Sequence, residues 1–151
     1  MCLQNEGRIT KAKEDIVCWK ICRLIYKETR NRKKLYKIAS QYNHKQQTVY
    51  VKGGKQKASG FPRMKEACKD GSYLYHENEK GFHAYLTRED AEKFMGIAHK
   101  LSKYILLKCI VPKGTRFITG VQIKLSPHYS DRRREFKGKG IRAEYMIHGV
   151  E

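Results

Sequence analysis

Apolar residues along this chain recur mostly at every second position, and a single stretch holds helical spacing. From Ile16 to Ile25, an extended chain puts Val17, Trp19, Ile21 and Ile25 on one side and Ile16, Cys18, Cys22 and Leu24 on the other. The same residues also fit one face of a helix, through Val17, Cys18, Ile21, Cys22, Leu24 and Ile25. The β-branched and aromatic content favours a central strand buried on both faces. Ser72–His76 and Phe82–Leu86 have the length and pattern of two antiparallel strands, and Glu77 to Gly81 suits a hairpin connection between them.

Thr87 then has the position of a helix N-cap, with Asp90 three residues on in a variant of the capping box. Glu89, Asp90 and Glu92 complement the positive end of the helix dipole. Ala91, Phe94, Met95, Ala98 and Leu101 recur at helical spacing, which predicts a helix over about 88–100 that packs one face on a sheet. Tyr104–Val111 is apolar on both faces and closes at the Pro112-Lys113-Gly114 turn, as a central strand does. Phe117–Leu125 alternates as a strand with one wet face, and Ile141, Ala143, Tyr145 and Ile147 would share one side of a last strand. The fold class expected is α+β: one domain over 1–151, a mostly antiparallel twisted sheet of five to seven strands, and one helix.

Between these elements, from about 27 to 65, apolar residues thin out. Apart from Thr48-Val49-Tyr50-Val51, which ends at Gly53-Gly54, the pattern there predicts a long loop or arm. Charge changes the picture most in this segment. Thr29 to Lys65 holds no acid and eleven bases: Arg30, Arg32, Lys33, Lys34, Lys37, Lys45, Lys52, Lys55, Lys57, Arg63 and Lys65. These account for +11 of a net charge of +18. Self-repulsion of that size costs stability, so its retention points to a polyanionic partner. A second acid-free stretch, Lys93 to Ser130, carries seven bases, while Glu66 to Glu92 between them holds seven acids against three bases. A solvated basic surface with no dedicated partner explains the total charge but not its segregation.

Tyr36, Tyr42, His44, Tyr50 and Phe61 interleave with the first basic stretch. Aromatic side chains among bases favour stacking on splayed bases of RNA or single strands over reading duplex DNA. The plainer account is that the tyrosines pin a loop to the sheet. Arg132, Arg133 and Arg134, with Lys137, Lys139 and Arg142, form a second basic cluster in which guanidinium forks suit phosphate oxygens. Asp131 and Glu135 flank it and could hold the arginines internally instead. No RNP1, KH, helix-turn-helix or zinc-finger pattern accompanies these clusters. Cys18 and Cys22 lack a second ligand pair, which makes them buried small apolar residues rather than metal ligands. No cofactor motif, phosphate loop or nucleophile elbow is present, so an enzyme is the less favoured class.

Gly81-Phe82-His83-Ala84-Tyr85 and Ile110-Val111-Pro112-Lys113-Gly114-Thr115, in their order after the Ile16-to-Lys20 strand, resemble small proteins of gut bacteria and their phages. The resemblance covers most of the chain and implies no activity. It does imply that the basic segment after the first strand is an enlargement, and that a phage-encoded protein would act in the host cytoplasm. Five cysteines, an odd number, and no apolar run after Met1 are consistent with a reduced intracellular compartment. No apolar run is long enough to span a membrane.

The expected function is a small basic binding protein that engages RNA or a ribonucleoprotein such as a guide-RNA nuclease, as an anti-CRISPR-like inhibitor of nucleic-acid-directed defence. An acidic protein surface is the other partner class considered. The site expected for it comprises Arg30, Arg32, Lys33, Lys34, Tyr36, Lys37, Tyr42, Lys45, Lys52, Lys55, Lys57 and Arg132, Arg133, Arg134. The alternative is a nucleotide-directed protein. His76 after Leu74-Tyr75, with Tyr129 and Glu144, weakly resembles the ADP-ribosyltransferase-like folds. That resemblance implies a ribose-holding His76, a stacking Tyr129 and a Glu144 that stabilises an oxocarbenium-like centre.

Overall fold

The computed structural model describes residues 3–29, 32–40, 49–50, 53–75, 80–98, 104–125 and 135–150. Within them the chain order is β1 (Thr10–Lys11), β2 (Ile16–Thr29), β3 (Arg32–Ser40), β4 (Val49–Tyr50), β5 (Lys55–Lys57), β6 (Met64–Ala67) and β7 (Tyr73–Tyr75). There follow β8 (Phe82–Tyr85), α1 (Arg88–Ala98), β9 (Tyr104–Val111), β10 (Arg116–Leu125), β11 (Glu135–Ala143) and β12 (Tyr145–His148). The α+β class holds: the strands pair antiparallel and the described residues form one helix.

The strand number is corrected. Instead of five to seven, ten strands share one sheet, eight of them along the path β1-β10-β11-β8-β2-β9-β12-β5, with β3 and β4 attached to β2. β3 and β5 come from the segment expected to be a loop or arm, β1 from Thr10–Lys11, and the expected last strand is divided into β11 and β12. Leu35, Ile38 and Ala39 carry no clear alternation, yet β3 pairs along β2 from Cys22↔Ser40 to Thr29↔Arg32. A partner strand already in place supplies the ladder that local propensity does not.

Two further expectations are overturned. β7 does not form a hairpin with β8; it pairs with β6 in a separate two-stranded sheet, while β8 lies between β11 and β2. Phe82, Ala84 and Tyr85 are buried on both faces of β8, which demands a neighbour on each edge. The last strand is broken at Glu144. Ile141 and Ala143 are buried before the break, and Met146 and His148 after it, so the inward parity flips and Tyr145 and Ile147 no longer share the core side.

That break closes the sheet. β11 pairs with β8, β8 with β2, β2 with β9 and β9 with β12, and β12 follows β11 after one residue. A path that starts and ends on one bent strand curls into a small barrel. Its interior is lined by Cys18, Cys22, Phe82, Ala84, Leu107, Cys109, Val111, Ile141, Ala143 and Met146, largely small side chains suited to a tight radius.

The helix lies outside this barrel. Thr87 Oγ1 accepts the Asp90 N–H at 3.2 Å, so the expected N-cap is formed. The Asp90 carboxylate, however, turns outward to accept the Lys139 N–H at 3.1 Å and ties the helix start to β11. Phe94 stacks on Tyr85 with centroids 5.0 Å apart, beside Ile21 and Ala91, with Trp19, Tyr104 and Leu106 packed around them. A Cβ at Gly138 would come within 2.9 Å of the Phe94 ring, so glycine there permits the close approach. β2 is thus covered on both faces from Cys18 to Cys22, as its pattern predicts, while Val17 stays exposed.

Candidate nucleic-acid interface

The basic segment owes its place to β2. This strand pairs with β9 from Ile16↔Val111 to Arg23↔Tyr104 and then continues from Leu24 to Thr29 with only β3 beside it among the described residues. At about 3.3 Å per residue, the β2–β3 ribbon projects roughly 20 Å past β9. The register shifts between Ile25 and Tyr26, because Ile25 faces Lys37 and Tyr26 faces Leu35. Tyr36 is the extra residue of that bulge, which increases the local twist. Toward the end of the ribbon, Lys27 stands opposite Lys34, Glu28 opposite Lys33 and Thr29 opposite Arg32. Like charges directly opposite each other destabilise a strand pair.

Of the residues expected at the site, Arg32, Lys33, Lys34, Tyr36 and Lys37 are therefore brought together on one strand, β3. Lys55 and Lys57 sit apart from them on β5, which pairs with β12 at the far end of the sheet path. Both are exposed, with Nζ atoms 4.7 Å and 5.8 Å from the Tyr145 ring centroid. Lysines on a short terminal strand also keep other chains from pairing there. Arg30, Tyr42, Lys45, Lys52, Arg132, Arg133, Arg134, His76 and Tyr129 lie outside the described residues.

Arg142 is removed from the second basic cluster. It is fully buried, with Nε 2.7 Å from Glu6 Oε2 and Nη2 donating to Glu6 Oε1 at 2.8 Å. Its Nη1 donates to the Lys80 carbonyl at 3.3 Å, and Tyr75 lies across the guanidinium at 5.5 Å. Burial pushes the Glu6 carboxyl above its ordinary value, against the pull of Arg142. The pair pins the N-terminal segment to the outer wall, where the Glu6 carbonyl accepts the Tyr73 N–H and the Gly7 carbonyl accepts the Tyr75 hydroxyl. No hydrophobic pattern announces Glu6; an isolated acid near a basic N-terminal region gives no such signal.

Glu144 is paired with Arg116, whose Nε donates to Oε2 at 2.9 Å. That hydrogen bond holds the Glu144 carboxyl below its usual range, mild burial opposing it. The carboxylate is a structural tie at the β11–β12 break.

Two histidines are held neutral. Burial pushes His83 down to about 3; its Nδ1 lies 3.2 Å from the Gly81 carbonyl, and Arg142 adds to the shift. Inside the barrel, burial and the neighbouring Lys20 push His148 down to about 2. Lys20 Nζ lies 3.2 Å from His148 Nε2 and 4.9 Å from the Phe82 centroid, so an ammonium there donates to the ring nitrogen. The alternation of β2 places Lys20 inward with Cys18 and Cys22, an unexpected place for a lysine. Burial raises the Cys18, Cys22 and Cys109 thiols, Cys22 to about 12, so they are unreactive core residues. Among the described residues no set of three or more His, Cys, Asp or Glu side chains is placed to hold a metal ion.

The described fold and its charge define a small barrel with a projecting basic ribbon. Comparison with protein-family models, curated proteins and solved structures finds no match to the chain. No described helix is long and apolar enough to cross a membrane.

Proposed function

We propose that this protein binds RNA or a ribonucleoprotein through the β2–β3 ribbon. The observation that carries this is the ribbon's projection beyond β9 with Lys27, Arg32, Lys33, Lys34 and Lys37 on its two strands against a single acid, Glu28. The Lys27–Lys34 pair sets like charges opposite each other, which destabilises the ribbon alone, and a phosphate bound there relieves the repulsion. The barrel root fixes the ribbon's direction, so little backbone order is lost on binding. Tyr26 and Tyr36, at the bulge, supply aromatic surface for unstacked bases. By competing for a guide RNA or its binding cleft, such a protein would act as an inhibitor of nucleic-acid-directed defence.

The test is a salt titration of binding to a fluorescent single-stranded RNA. Neutralising about six phosphates gives a log–log slope near −4 at roughly −0.7 per contact. The Lys33→Glu, Lys34→Glu, Lys37→Glu variant should lose most of that slope together with its affinity. Binding without salt dependence would sink the proposal, and retention of a salt-resistant protein partner after ribonuclease treatment would move it to an acidic protein surface.

A further inference from the structure

Along the sheet path β2-β9-β12-β5, the side turned away from the barrel interior is aromatic and basic. Strand register sets Val17, Ile110, Ile147 and Lys55 in one row across these four strands. Cys18, Leu107, Cys109, Met146 and His148 point inward from the same strands, so alternation turns the row outward, with Trp19, Lys108 and Tyr145 on the same side. Val17, Lys55 and Lys57 are exposed, and Trp19, Lys108, Ile110, Tyr145 and Ile147 are half-buried. The row crosses three strand gaps, about 14 Å.

Trp19 and Tyr145 each lie under an exposed cation. Arg88 is 5.3 Å from the Trp19 centroid, and Lys55 and Lys57 are 4.7 Å and 5.8 Å from that of Tyr145. Trp19 also stands directly opposite Lys108, and Tyr145 opposite Lys57. Glu92 and Glu144 are ion-paired to Arg88 and Arg116, and Lys57 adds its field to the second pair. No ion pair joins Lys55, Lys57 or Lys108 to an acid among the described residues. Apolar residues alone would suit many partners. Cations over rings on a sheet face suit one that carries flat rings and negative charge in alternation, because a base can take the ring face while the displaced cation takes the next phosphate.

Resting on the nucleic-acid reading above, we infer that this face is a second RNA contact, a platform that stacks unpaired bases on Trp19 and Tyr145 while Arg88, Lys108, Lys55 and Lys57 hold the neighbouring phosphates. Helix α1 covers Ile21, between Trp19 and the root of the ribbon, so the platform is a surface distinct from the ribbon. The two rings lie two strands and four residues apart, about 16 Å. Six nucleotides cover that span even when fully stacked at about 3.4 Å each.

Trp19 is the single tryptophan of the chain, so its emission reports on this face. The test uses the full chain at low salt with a six-nucleotide oligoadenylate, a fluorescein-labelled copy for anisotropy, and an abasic strand of the same length. Oligoadenylate should quench Trp19 with the midpoint seen by anisotropy, and the abasic strand should leave the emission unchanged. Tyr145→Ala should weaken oligoadenylate binding about 5–100-fold, and Tyr145→Phe should retain it, since either ring stacks. Lys55→Gln with Lys57→Gln changes exposed side chains only, and should reduce the log–log salt slope by about 1.4 even if Tyr145→Ala fails to fold. Binding that leaves Trp19 emission unchanged, is indifferent to these variants and is lost with Lys33→Glu, Lys34→Glu and Lys37→Glu overturns the platform and leaves the ribbon reading standing. Binding that survives the ribbon variant but not Tyr145→Ala supports the platform and removes the ribbon. Failure of every strand to bind removes both.

Discussion

The two halves of β2 are one strand in two environments. From Ile16 to Arg23 it runs between neighbours in a closed barrel, with Cys18 and Cys22 fully buried on one face and Ile21 buried under the helix on the other. From Leu24 to Thr29 it has only β3 beside it among the described residues, with Lys27 opposite Lys34 and Glu28 opposite Lys33. The first half is held on both edges, and the second is the half to which the proposed function assigns partner binding. The lesson is that an exposed functional device can be built at low cost by lengthening a strand that the core already holds.

The largest effect expected of a single change to the barrel side is at Arg142. Arg142→Ala leaves Glu6 buried without its partner and should cost about 3–5 kcal/mol, read as a lowered urea midpoint. Replacing both, as Arg142→Met with Glu6→Leu, should recover most of that loss. A small effect of the single variant would mean that the wall is held by something other than this pair.

Acid comes next. His83 and His148 are kept neutral in the fold, with values pushed to about 3 and about 2, whereas unfolded they bind protons near pH 6.5. The unfolded chain therefore binds more protons below that pH. Stability is fully present above about pH 6.5 and falls as pH drops toward 3, by about 1.4 kcal/mol per pH unit for each histidine. Replacement of His148 by Gln should roughly halve that slope, monitored by denaturant titrations from pH 7 to 4.5.

Thr87→Ala removes the hydroxyl that accepts the Asp90 N–H and should cost about 1 kcal/mol in thermal unfolding. Smallest, and opposite in sign, is Lys34→Glu. It puts a carboxylate across from Lys27 and should stabilise the ribbon by about 0.2–1 kcal/mol while weakening RNA binding. A variant that lowers both stability and binding would erase the division between the halves of β2.

β2 and β9 were legible because burial on both faces writes a dense apolar pattern, and β10 because it alternates with one wet face; all three start where their residues predict within a residue, and only β2 runs on past its expected end, to Thr29. The helix was legible from Thr87 and the spacing of Ala91 and Phe94. What stayed hidden was long-range. β3 has no pattern of its own and becomes a strand through register with β2, and β7 takes β6 rather than β8 through contacts with Glu6 and Gly7. Arg142 looks like a surface base in any local window, and only the approach of Glu6, 136 residues away, makes it a core residue. Of the candidate interface, charge density was readable, but the ribbon geometry depends on the register of β3 with β2, which composition does not encode.

Because β2 crosses from barrel to ribbon without interruption, a pull on the ribbon travels down its backbone to the eight residue pairs that run from Ile16↔Val111 to Arg23↔Tyr104. Force along that axis loads the ladder in shear, so its bonds resist together instead of opening one at a time. The ribbon is a handle rooted in that eight-pair ladder, mechanically suited to bear a pull along its length.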